Sequence, residues 1–289
     1  MLNAIVKSTK KVPMRHFDLT ARILLNYLDV RMWACSLFLF LCLIPPIGFA
    51  ETERSPALSE MQINKIYDQS WQMLSRIHID ETGLDTAIEL YKKVLRMAPY
   101  DEDIHWKLSE AFFKKAEIME NDEKSLEIYK IALGYAKEAR GAYPNSIEAH
   151  FWVGCCSVRI AEIINGVRAL PMLNEAKSEL KYTIELDTDH RFAILARAIL
   201  SAIYSETPWP LRNTKKAERF ALESIDKDPN LTFARVTLAQ VYLQQKKYLN
   251  AHDEAVKCLS IVEPTYIWDA ELYNWPEARR LIKEIELHK

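Results

Sequence analysis

The chain is predicted to be all-α, a solenoid of about five helical hairpins closed by a C-terminal capping helix. Three observations lead there. Apolar residues recur at intervals of three and four through most of the body, the spacing of one helix face. Only six Gly in 289 residues, with few runs of Val, Ile and Thr, leave little for strands and tight turns. Small, aromatic and Pro residues return in phase along the chain, as stacked helix pairs require.

The first 50 residues stand apart. Residues 1–31 are mixed and basic, and Met32–Ile44 is an uncharged apolar run of 13 that stops at Pro45-Pro46. Gly48-Phe49-Ala50 follows, with small residues where a signal peptidase reads. Residues 1–50 are therefore expected to be a signal peptide or membrane anchor, 51–60 a linker and 61–289 the helical repeat domain. A run this short falls below the ~20 residues of a membrane-spanning helix, so export to the periplasm is the first expectation and an inner-membrane anchor through residues 32–50 the alternative. Leu41 precedes Cys42 where a lipid-attachment box carries a small residue, so no lipid anchor is expected.

Composition narrows the function classes. Residues 1–50 hold six Lys or Arg and two Asp or Glu, leaving 32 basic against 38 acidic side chains in the rest, a net −6 that argues against a nucleic-acid partner. Cys155, Cys156 and Cys258 are an odd number in the body, without His or Cys at ligand spacing, so they read as small buried helix residues. No phosphate-cradling Gly loop, metal-spaced cluster or nucleophile elbow occurs. The chain is expected to be no enzyme, with no catalytic residue, metal or cofactor.

The elements follow in order. Ile63, Ile66, Tyr67, Trp71, Leu74 and Ile77 mark a first amphipathic helix, broken at Thr82-Gly83. Ala87, Ile88, Tyr91, Val94 and Leu95 mark its partner, which ends at Pro99. A second unit opens at Ile104–Ser109 and closes with Ala132, Ala136, Ala139 and Pro144, its inserted turn near Asn121-Asp122. The third opens at Ala149–Gly154 and closes with Ala176, Leu180 and Thr183. The fourth runs through Leu200, Ser201 and Tyr204 to a rigid elbow, Pro208-Trp209-Pro210, and then Ala217, Ala221 and Pro229. The fifth carries Ala234, Leu238-Ala239, Tyr242, Tyr248, Ala251 and Ala255. Trp268–Leu287 places Leu272, Trp275, Ala278, Leu281, Ile282 and Ile285 on one face, as a cap should.

With a unit of about 34 residues, these hairpins resemble tetratricopeptide repeats. From Glu148 onward the likeness narrows. Ala149-His150-Phe151-Trp152-Val153-Gly154, the elbow with Leu211 and Lys215-Lys216-Ala217-Glu218, and the closing Trp275-Pro276-Glu277-Ala278-Arg279-Arg280-Leu281-Ile282 resemble the T-component of tripartite ATP-independent periplasmic (TRAP) transporters. That resemblance implies an exported, non-enzymatic accessory associating with a periplasmic substrate-binding protein. The alternative is a general exported interaction scaffold. Asn213 stands where similar proteins usually carry Gly, and is expected to serve the same left-handed turn.

His105 and His150 precede an aromatic at the same place in successive repeats and are assigned to packing. Asp101-Glu102-Asp103 and Asp187-Thr188-Asp189 are expected to cap helix starts. Counting from the landmarks puts Trp106, Phe113, Phe151, Cys155, Val158, Phe233, Val236 and Leu243 on the concave face, with Arg159 its one basic residue and Trp209 either a plug or a stacking platform. So apolar a groove disfavours a clamp for peptide carboxylates. Two readings stay open: inserted turns and cap make this surface ordinary core, or it is a groove for an apolar small molecule, lipid-like or an organic acid, with room beside Ala198 and Ala202. A homo-oligomer is a further open alternative.

Overall fold

A computed structural model describes residues 59–208 and 210–287. The expectations for residues 1–50 and for most of the linker lie outside the described residues, as does Trp209. The described residues fall within one compact unit, Ser55–Lys289. They form five antiparallel helix pairs and no strand: α1 (Glu60–Leu74) with α2 (Gly83–Met97), α3 (Ile104–Glu117) with α4 (Asp122–Ala142), α5 (Ile147–Ile164) with α6 (Leu170–Leu186), α7 (Arg191–Glu206) with α8 (Thr214–Lys227), and α9 (Thr232–Gln244) with α10 (Tyr248–Ser260). α11 (Trp275–Glu286) packs on α9 and α10 and closes the stack. This is the tetratricopeptide-like solenoid that the periodicity predicts.

The landmark alanines explain the stacking. Ala87, Ala132, Ala136, Ala176, Ala217, Ala221, Ala251 and Ala255 are wholly buried, and large side chains such as Leu74, Tyr91, Leu108, Leu180 and Leu238 fill the space they leave. Gly154 carries this furthest. A Cβ built there would lie 2.7 Å from Leu180 Cγ, so α5 and α6 meet at a distance only glycine allows.

Several starts and stops have identifiable chemistry. Ser59 and Gln62 form a reciprocal capping box on α1, Asn121 accepts from the Lys124 amide and Ser146 from the Ala149 amide. α1 stops at Leu74, three residues short of the expected Ile77, which instead lies buried in the following turn.

The described residues on either side of Trp209 form a hydrogen-bonded turn. The amides of Leu211 and Arg212 donate to the Pro208 carbonyl, and the Asn213 amide donates back to Tyr204 O at 2.8 Å. Asn213 departs from the expected left-handed turn. Its φ is −143°, and its side chain accepts from the Lys216 amide as the cap of α8. An Asn oxygen can satisfy an orphan helix donor, which Gly cannot, so the residue replaces conformational freedom with a hydrogen bond.

Two other expectations are corrected. Asp103 sits at the start of α3 but caps no amide. Its Oδ1 accepts from Trp106 Nε1 at 2.8 Å, while Asp101 accepts from the Tyr67 hydroxyl and the Asp103 amide. His150 does more than pack. Its Nδ1 lies 2.5 Å from Glu179 and its Nε2 2.8 Å from Pro144 O, and Arg140 also donates to Glu179. Burial alone would lower the His150 pKa, but the Glu179 carboxylate and the Pro144 carbonyl hold it above its ordinary value.

The cap is less regular than an amphipathic pattern suggests. After a single turn, Ile267–Asp269, the backbone widens into a π-helical turn, Ala270–Asn274, before α11 begins. Pro276 explains it: with no N–H, it cannot bond to the carbonyl four residues back, and the preceding turn opens. The extra residue rotates Asn274 inward, where its Nδ2 donates to Thr232 Oγ1, and sets Trp275 Nε1 on the Cys258 carbonyl.

The close approach at Gly154 yields a paired test. Gly154→Ala is expected to cost about 1–3 kcal/mol by overpacking against Leu180. Gly134→Ala, exposed on α4 with nothing within 4 Å of the added carbon, is expected to gain up to about 1 kcal/mol. Urea melts of the two variants that shift in the same direction would refute this account of the α5–α6 seam.

Candidate functional site

The concave surface encloses a cavity of about 390 Å³. It is built mostly from the first helix of successive pairs. α3 contributes Glu110, Phe113, Lys114 and Glu117, spaced so that all four share a face. α5 contributes Phe151, Trp152, Cys155, Val158, Arg159 and Glu162. α7 contributes Arg191, Phe192, Leu195, Ile199, Ala202 and Glu206, and α9 contributes Phe233.

The ends of the stack supply two further walls. Trp71 of α1 and Ile77 line one wall, and Tyr266, Trp268, Asp269, Tyr273 and Asn274, in and before the π-helical turn, line another. Trp71 meets Trp268 edge to face at 5.6 Å, so the first helix touches the segment leading into the cap across the concave side. The walls are rigid aromatic contacts. Phe151 stacks on Phe192 at 4.4 Å, and Phe113 meets both Tyr129 at 5.3 Å and Trp152 at 5.4 Å.

The sequence-derived groove residues divide. Phe113, Phe151, Cys155, Val158, Arg159, Phe233 and Ala202 all line the cavity. Trp106 does not; it is buried in the main core, held by Asp103, with Lys107 over its ring at 4.1 Å. Val236 belongs to the apolar core under α11, because its side of α9 faces the cap. Leu243 lies beside a separate depression with Gln240, Lys246 and Arg280. Ala198 is core rather than open room. Arg159 is not the one basic residue, since Lys114 and Arg191 share the lining. These last two, and the acidic residues, follow from extending the same helical count to polar positions. The segment that supplies Asp269 and Tyr273, a single turn followed by the π-helical turn, carries no comparable signal.

The cavity contains an ionic network and isolated charges. Arg159 donates to Glu117 at 2.7 Å and to Glu162 at 2.6 Å, and the Tyr129 hydroxyl donates to Glu117. Burial would depress the Arg159 pKa, but the two carboxylates hold it above its usual range. Glu110 and Lys114 are only 7% and 8% exposed, and neither makes a hydrogen bond or ion pair among the described residues. Lys114 rests on the Trp268 ring, its Nζ 4.4 Å from the centroid. Burial pushes the Asp269 carboxyl up to about 6; Lys114 pulls it back, and Glu117 and Glu110 add to the rise. Burial also raises the Cys155 thiol well above its ordinary value. Among the described residues, no group of three or more His, Cys, Asp or Glu side chains could hold a metal ion.

A family model for regulator of microtubule dynamics proteins 1–3 matches residues 67–217, just over half of the chain. The chain belongs to that family. Among solved structures, the thermophilic TPR protein TTC0263 of Thermus thermophilus is similar with a TM-score of 0.57 and 17% identity, over 75% of this chain and 99% of that one. MamA of Desulfovibrio magneticus RS-1 follows at 0.45 and 15%, over 71% and 97%. YrrB, described as a TPR protein with an unusual peptide-binding site, gives 0.41 and 15%, over 72% and 94%. At these identities the likeness speaks for the fold alone. No curated protein matches the chain.

Asp269 supplies a pH test. An acid whose folded pKa is raised above its ordinary 3.8 is ionised at a cost to the folded state. That cost is absent below about pH 4, grows as pH rises toward about 6, and is complete above it. Asp269→Asn is therefore expected to stabilise the protein at pH 7.5, on the order of 1–3 kcal/mol, and to be nearly neutral at pH 4. Melting curves with no pH dependence in the difference between variant and parent would overturn this.

Proposed function

We propose that this chain is a non-enzymatic, tetratricopeptide-type interaction scaffold whose concave face holds an apolar ligand. The observation that carries the reading is the cavity itself. In an ordinary core, side chains from facing helices interdigitate and leave few voids larger than a water molecule. Here aromatic walls line an open-sided cavity of about 390 Å³, a volume within the range of small-molecule sites. Repeat architecture supports the scaffold half of the reading, because a stacked solenoid offers a long surface without requiring any catalytic group. The microtubule in the family's name makes tubulin polymer one protein partner to include in a binding screen.

A finer version makes the chain an exported accessory of a TRAP-type transporter, bound to a periplasmic substrate-binding protein. Its support is the resemblance carried by the elbow and the closing Trp275–Ile282 stretch. None of the proteins reported above is described as a transporter component. Fractionation with N-terminal sequencing, followed by co-purification, tests it; a cytosolic protein with an intact N-terminus would rule it out.

The ligand reading calls for a variant that fills the cavity without removing a wall. Phe151→Asp is unsuitable, because Phe151 is 3% exposed and stacked on Phe192, so a charge there would unfold the α5–α7 contact. Ala202→Trp adds bulk at a partly exposed lining position instead. It is expected to abolish binding of an apolar fluorescent probe and to leave the helical circular dichroism and melting point nearly unchanged. Unaltered probe binding in Ala202→Trp would remove the cavity from the proposal.

A further inference from the structure

The cavity is apolar in its walls but not in its charge. Five carboxylates line it, Glu110, Glu117, Glu162, Glu206 and Asp269, against three basic side chains. Arg159 is committed to Glu117 and Glu162. Arg191 lies over the Phe192 ring at 4.5 Å, and Lys114 over Trp268. That leaves three carboxylates: Glu110, nine-tenths buried on the cavity wall, with no hydrogen bond or ion pair among the described residues; Asp269 on the cap segment, which feels Lys114 but forms no ion pair with it; and Glu206, which is exposed at the rim.

A carboxylate withdrawn from water and left unpaired is costly to retain. Its presence beside exposed aromatic faces has a chemical consequence. Aromatic π-faces and carboxylates both attract cations and both repel anions, and low-dielectric walls strengthen the attraction. Lys114 already occupies the Trp268 face in this way. Trp71, 37% exposed, and Tyr273, 38% exposed, still present ring surface to the cavity.

We infer that the ligand of this cavity is a small amphipathic cation, an amine or quaternary ammonium group on an apolar chain or ring, with its charge between Glu110 and Asp269 and its apolar part against Phe151, Phe192 and Ile199. The inference rests on the reading that the cavity is a ligand site. It adds the sign of the ligand's charge, which excludes fatty acids and other organic anions.

The test compares three probes of equal chain length, decyltrimethylammonium, decanol and decanoate, each kept below its micelle-forming concentration. Binding to the full chain is followed by intrinsic tryptophan fluorescence, since Trp71, Trp152 and Trp268 line the cavity, and by calorimetry. The cation is expected to bind at least about tenfold more tightly than the anion, with the alcohol between them. The Glu110→Gln and Asp269→Asn double variant, folded by circular dichroism, is expected to lose most of that preference while its decanol affinity stays within about twofold. Decanoate binding as tightly as the cation, or a double variant that weakens all three probes equally, would overturn the charge assignment and leave the cavity reading intact. If none of the three binds, the cavity reading falls and the charge assignment with it. If the double variant does not fold, the single Asp269→Asn variant, expected above to be stabilised at pH 7.5, replaces it, with a smaller loss of preference expected for the cation alone and no loss refuting the proposal.

Discussion

Close helix approach is the constraint on which the rest of this structure depends. Each pair is held by wholly buried alanines on one helix and large side chains on its neighbour, and at Gly154 even a methyl group is too much. Because the seams share this small-to-large complementarity, successive pairs stack on one another in order along the chain. A concave surface is the result. Its residues come from first helices, at positions the seams do not consume.

What happens to that surface is decided at its two ends. An open solenoid would leave the apolar faces of α3, α5 and α7 in water, a patch of the sort that marks an interaction site. Here Trp71 from the first helix and Trp268 from the segment before α11 meet across it. The enclosure is incomplete, since the aromatic walls are braced against one another rather than against a filling side chain. Phe151 on Phe192 and Phe113 on Trp152 hold the wall rings in place, so the space does not collapse.

The charges inside belong to the same picture. Arg159 with Glu117, Glu162 and Tyr129 is a satisfied network that ties α5 to both helices of the second pair. Glu110, Lys114 and Asp269 form no such network, although the first two are buried and burial penalises the charge of the third. Residues retained at a cost to stability concentrate at functional sites, and these sit where the two ends of the stack come together.

Much of this was legible in the chain. Periodicity gives the helices, alanines and prolines give the hairpins and their phase, and counting from those landmarks reaches Phe113, Phe151, Val158, Arg159 and Phe233 on the concave face. Helical spacing is a local property, which the sequence by itself determines wherever burial is one-sided. The same count failed for Trp106, Val236 and Leu243, because which side of a helix looks inward depends on what its neighbours cover, and α9 is covered by the cap. Only the tertiary structure decided whether the concave face was core or cavity. That outcome turns on Trp71 and Trp268, far apart in the chain, and on a π-helical turn set by Pro276, none of which leaves a periodic trace. Local pattern fixes the elements and their seams, whereas a void is a property of distant surfaces that meet without filling the space between them.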